Sequence, residues 1–180
     1  MMKKYRLHVL IAGSLLAGAL MVATAAQENA ETEFSRTTID LGVVVSDVEK
    51  AAKFYSDALG FVKVGEFDVP AQMAGDIGLT DHKPFNVQVF ALGKEPTATR
   101  LKIMEVSGTG SKAVDNQYIS SSLGFSYLTV LVSDLDKTMK RLEKNGIAPV
   151  KAPYQLGGAN SHLILVKDPD GNIIELIGPR

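Results

Sequence analysis

The chain has 180 residues, 46% of them hydrophobic, with 19 Lys and Arg against 20 Asp and Glu and no cysteine. That length supports one well-cored domain, and the near-neutral balance argues against a nucleic-acid or anionic-membrane surface. Without cysteine there is neither a disulfide nor a lipid-modified cysteine anchor, so a reducing or an oxidising compartment suits the chain equally.

Lys3, Lys4 and Arg6 precede the apolar stretch LHVLIAGSLLAGALMVA, and ATAAQ offers small residues for cleavage near Ala25 or Ala26. This pattern predicts a signal peptide over residues 1–26 and an exported protein, periplasmic or secreted; an uncleaved membrane anchor is the alternative. Removing that leader takes away three bases and no acid, leaving 16 bases against 20 acids, a net charge of −4. Residues 27–36, QENAETEFSR, are polar and aperiodic and read as a flexible spacer.

Two later segments match. DLGVVVSDVEKAAKFYSDALGF starts at Asp40 and YLTVLVSDLDKTMKRLEKNGI starts at Tyr127, an offset of 87 residues (127 − 40). Each reads as a strand, a Ser-Asp pair, a helix and a glycine stop, which points to duplication of one unit. Ser46-x-x-Glu49 and Ser133-x-x-Asp136 are capping-box patterns, and Gly60 and Gly146 sit where a left-handed residue ends a helix. Val48, Ala51, Ala52, Tyr55, Ala58 and Leu59 form a core-facing stripe at helical spacing, as do Leu135, Met139 and Leu142.

Three strand-like segments follow each helix: FVKVGEF, FNVQVFALG and RLKIMEVSG in the first copy, APVKAPY, SHLILVK and NIIELIG in the second. The fold class is therefore α+β, with two tandem βαβββ units at residues 37–107 and 123–180 joined by a Gly/Ser-rich linker at 108–122. Residues 68–84 form a longer connection, with a short helix expected near Met73 and a position from which it could close over a site. DPDG at 168–171 is a tight turn.

Strand alternation puts Leu41, Val43 and Val45, and likewise Leu128, Val130 and Val132, on uniform aliphatic faces suited to a helix. The opposite faces begin with Asp40 and Tyr127. In the last strands Glu105 of LKIMEV matches Glu175 of NIIELI, so Asp40, Glu105, Tyr127 and Glu175 are expected at equivalent points on the concave sides of curled sheets. A carboxylate among isoleucines needs a partner, which marks Glu175 as a candidate for function.

The strand–Ser-Asp–helix–FYSDALGF pattern, the duplicated unit and DPDGNIIEL resemble the vicinal oxygen chelate superfamily, which includes glyoxalase I, bleomycin-resistance proteins and extradiol dioxygenases. The resemblance covers roughly residues 38–178 and implies paired units forming a cupped mixed sheet, helices outside, around a site for a small-molecule ligand. In metal-using members one ligand, usually His, opens each unit's first strand and one, usually Glu, comes from each last strand. By that resemblance Asp40, Glu105 and Glu175 are the metal-ligand candidates, and Glu105, Glu175 and Tyr127 the catalytic ones.

Neither first-strand position is His. This makes extradiol dioxygenase or fosfomycin-resistance activity a poor match, since both use two His and one Glu; His82 and His162 lie outside the motif. Carboxylates and a phenol suit Mg²⁺, Mn²⁺ or Ca²⁺ better than Zn²⁺, Ni²⁺ or Fe²⁺, which favour imidazole. The leading expectation is a glyoxalase-like lyase or isomerase moving a proton on a small carbonyl or hydroxy compound, with or without a divalent metal. The alternatives are a non-catalytic binding protein of the bleomycin-resistance type, or a structural relic whose cup has filled. No nucleic acid or, after leader cleavage, membrane partner is expected. The resemblance allows a homodimer, because units in this superfamily pair within a chain or across two.

Overall fold

The computed structural model describes residues 34–158 and 160–180. The predicted signal peptide and most of the spacer lie outside them. No helix among the described residues is long and apolar enough to cross a membrane.

The first unit runs β1 (Asp40–Val44), α1 (Val48–Lys53, continued by a π-helical turn Phe54–Ala58), β2 (Val62–Val69), α2 (Ala71–Asp76), β3 (Phe85–Ala91) and β4 (Arg100–Met104). The second runs β5 (Tyr127–Leu131), α3 (Leu135–Lys144), β6 (Tyr154–Gln155), β7 (His162–Lys167) and β8 (Ile173–Gly178). The sheets repeat one topology, β1-β4-β3-β2 and β5-β8-β7-β6. In each, the first and last strands pair in parallel and the others antiparallel. Each unit is thus βαβββ with a mixed four-stranded sheet. The expected strand over APVKAPY shrinks to Tyr154–Gln155, because Pro149 and Pro153 lack the N–H a ladder requires.

Both helices start on the aspartate of the Ser-Asp pair, one residue later than the expected serine caps. Asp47 accepts from the Lys50 N–H and Asp134 from the Lys137 N–H, at extended φ of −151° and −156°. An ionised carboxylate suits the positive end of a helix better than a hydroxyl. Gly60 (φ +85°) and Gly146 (φ +72°) end the helices as expected. The π-helical turn inserts its bulge where Phe54, Tyr55 and Ala58 all become buried.

One core takes in the inner faces of both sheets and both helices, including Phe54, Phe90, Ile103, Leu135, Leu142, Ile164 and Leu176. Fully burying each large aliphatic or aromatic side chain contributes about 1.5–3 kcal/mol. Polar ties join the units through this core. The buried Tyr55 hydroxyl donates to Asp168 (3.0 Å), which also accepts from the Asp170 and Asn172 backbone N–H groups and the Asn172 side chain. The guanidinium of Arg141 donates to the carbonyls of Ala58 and Leu59. FYSDALGF and DPDGN therefore meet in space, one motif from each unit.

α2, inside the long connection, packs Ala74 with Val69, Val87 and Val89 in a smaller core on the other side of the first sheet. It covers one end of that face and leaves Asp40, Gly42 and Val44 clear of the cluster.

Candidate ligand-binding site

In a parallel ladder, paired residues project to the same side. β1 against β4 pairs Asp40 with Arg100, Gly42 with Lys102 and Val44 with Met104. β5 against β8 pairs Tyr127 with Ile173, Thr129 with Glu175 and Leu131 with Ile177. These are the faces turned away from α1 and α3, and beyond the end that α2 covers they stay open: Val44 is 53%, Tyr127 52% and Leu131 78% exposed.

The residue equivalent to Glu175 is therefore Lys102. Glu105 corresponds to Gly178, and strand alternation sends it to the helix side. Its carboxylate accepts from the Val48 N–H at the start of α1 (3.2 Å), beside Asp170, which accepts from the Ser46 N–H (3.1 Å). In the second unit the matching N–H, that of Leu135, donates to the Pro179 carbonyl instead. Glu105 stands in for a backbone carbonyl. No side chain fits at Gly178, where a Cβ would lie 2.3 Å from the Val132 carbonyl oxygen.

Asp40 sits at the expected end of β1 but is engaged by cations: Arg36 Nη2 lies 2.8 Å from one oxygen and Lys102 Nζ 3.1 Å from the other. Burial alone pushes its pKa up, yet the Lys102 and Arg36 partners outweigh that and hold it below the ordinary carboxylate value. Glu175 accepts from the Thr129 hydroxyl across the strand pair (2.8 Å). Tyr127 stands half-exposed at the leading end of its strand, on the same face as Glu175.

The structure thus brings Asp40 to Lys102 and Glu175 to Thr129, and it does not gather Asp40, Glu105 and Glu175 into one set. Among the described residues no group of three or more His, Cys, Asp or Glu could hold a metal. Superfamily membership implies a divalent cation, but these residues do not suit one. Glu105 caps a helix, Asp40 is neutralised, and an ammonium occupies a ligand position. A second chain meeting this face with its own Glu175 would still leave Lys102 and Arg36 among the ligands.

A cavity of about 340 Å³ opens on the first sheet, with Asp40, Arg100 and Lys102 among its lining and Val64, Phe67 and Val89 as the apolar part. Sequence reading missed Arg36, Arg100 and Lys102. A signal was present: Lys94-Glu95-Pro96 mirrors Lys167-Asp168-Pro169 at an offset of 73 (168 − 95), which aligns Lys102 with Glu175. The turns agree, since the Ala98 N–H bonds the Glu95 carbonyl as the Gly171 N–H bonds that of Asp168.

The family model for the Glyoxalase/Bleomycin resistance protein/Dioxygenase superfamily matches residues 37–176. The chain belongs to that superfamily. A protein of Synechocystis named "Probable lactoylglutathione lyase" is 26% identical over 133 residues, covering 74% of this chain and 88% of that protein. A glyoxalase family protein from Bacillus cereus superposes with a TM-score of 0.70 at 18% identity, covering 83% of this chain and 97% of that one. The trypanothione-dependent glyoxalase I of Leishmania major gives 0.58 at 24% identity, covering 80% and 87%. At such identities the structures share the fold.

Proposed function

We propose that this is an exported small-molecule-binding member of the superfamily, working without a resident metal, with its ligand on the open sheet faces. The observation that carries this reading is Lys102, ion-paired with Asp40, at the position equivalent to Glu175. Two copies complete the binding surface: each open face carries half-exposed apolar residues, and the cations of the first are complementary to Glu175 on the second. Export rests on the leader pattern, and a mature chain starting near Gln27, read by mass spectrometry, is the expected product.

A second reading, lyase or isomerase chemistry, is favoured by Glu175. A carboxylate on an apolar open face, oriented by Thr129 and flanked by Tyr127, is placed to accept a proton from carbon next to a carbonyl. The relative's name makes lactoylglutathione the thioester to look for. Incubation with glutathione and the matching 2-oxoaldehyde, followed by the rise of thioester absorbance, separates the readings. The binding reading expects no turnover; turnover lost in Glu175→Gln overturns it. Sedimentation velocity checks the second copy, with a dimer as the expected species.

A further inference from the structure

We infer that the open face of the first sheet is a site for a small organic anion, a carboxylate held by Lys102, Arg100 and Arg36. This rests on the binding reading above and names its ligand class. The local charge points the way. Arg100 and Lys102 line the cavity with Asp40, and Arg36, outside that lining, pairs with Asp40, which makes three cations against one carboxylate. Glu66 also lines the cavity, but Lys63 pairs with it at 2.6 Å, so counting both leaves the excess unchanged.

Donors remain available. An ammonium carries three N–H bonds and a guanidinium five, and one acceptor, Asp40, takes up part of two groups. Arg100 has no ion-pair partner among the described residues, and Arg36 and Lys102 keep 38% and 36% of their side-chain surface. Asp40, at 14% the least exposed of the three, is the half-buried post that fixes both neighbours. A guanidinium offers a carboxylate two parallel hydrogen bonds, and an ammonium adds a point charge. The cavity of about 340 Å³ suits a ligand of a few to a dozen heavy atoms, with Phe67, Val64 and Val89 for its apolar part. Lys102 stands on the first sheet where Glu175 stands on the second, and the sign of the charge differs accordingly.

The test is a titration of the full mature chain, followed by amide NMR shifts at constant ionic strength. Pyruvate and benzoate are the anionic probes, and their methyl esters the neutral controls. Saturable shifts centred on Gly42, Arg100 and Lys102 with at least one acid, and none with its ester, are expected. Lys102→Met should weaken that binding at least tenfold, Lys102→Arg should retain it, and Lys144→Met, exposed at the end of α3 in the other unit, should leave it unchanged. Equal binding of acid and ester, with Lys102→Met indifferent, overturns the anion site while leaving a binding protein. Absence of saturable binding by either acid overturns the anion site as well. Turnover in the thioester assay above is the separate result that overturns the binding reading itself.

Discussion

The two units are one fold with two different surfaces. Their parallel ladders match residue for residue, their helices start on equivalent aspartates and each ends on a left-handed glycine, and both put aliphatic residues inward. On the open faces the likeness stops: the first shows Arg100 and Lys102 where the second shows Ile173 and Glu175. Backbone geometry was kept by many small local preferences, each supported by its neighbours. Chemistry changed through single side chains on which the fold does not depend.

The turns before the last strands give the largest expected contrast. Asp168 is buried and accepts four hydrogen bonds, whereas its counterpart Glu95 is exposed in a matching turn. Asp168→Ala should lower the urea unfolding free energy by about 3 kcal/mol, because buried donors lose a charged acceptor. Glu95→Ala should change it by less than about 0.5 kcal/mol. Equal effects would remove the claim that this turn locks the units together.

Tyr55 sharpens the same contrast through pH. Burial, and then the charge of Asp168, hold its phenol well above the ordinary tyrosine value. The folded state therefore favours the protonated phenol, and its contribution is complete below a pH of about 10, the ordinary tyrosine pKa. It falls as pH rises above that point, since the unfolded chain releases the proton more easily. Thermal melts from neutral pH upward should show an alkaline loss of stability that Tyr55→Phe flattens. An identical slope in the variant would contradict the assignment.

Smaller effects separate the two glutamates. Glu105→Ala should cost about 1 kcal/mol as a lost helix cap, Glu105→Gln less, and neither should alter ligand binding. Glu175→Gln should do the reverse, changing ligand binding with little effect on the urea midpoint. Lys102→Glu restores an acid next to Asp40 and, exposed as this pair is, should shift stability by no more than about 1 kcal/mol. With Arg36→Gln added to clear the second cation from Asp40, it should gain Mn²⁺ binding, seen as paramagnetic broadening around Gly42 that is absent from the wild-type chain.

The fold was readable because its signals are local. Ser-Asp before a helix, Gly60 and Gly146 after it, and alternation in LGVVV and LTVLV need no knowledge of the rest of the chain. Even α2 was marked, as a short helix near Met73 in an unusually long connection. The site was less readable because it depends on register between distant strands. The offset of 87 holds through the first strand to the helix start, slips to 86 by Gly60 and Gly146 where the π-helical turn adds a residue, and falls to 73 by the last strand once the 68–84 connection has lengthened the first unit. Matching acid to acid then put Glu105 opposite Glu175 and sent it to the wrong face, since three residues of shift reverse strand parity. Lys94-Glu95-Pro96 held the correct alignment. No single-sequence rule would have shown Arg36 reaching Asp40.

Metal content of protein purified without chelator, measured by plasma mass spectrometry with Glu175→Gln alongside, tests the charge exchange at Lys102 most directly. Far less than one equivalent of any divalent metal, the same in both proteins, is the predicted result. A full equivalent in the wild type that departs with the Glu175 carboxylate would mean that a cation site is present, and the account would be wrong.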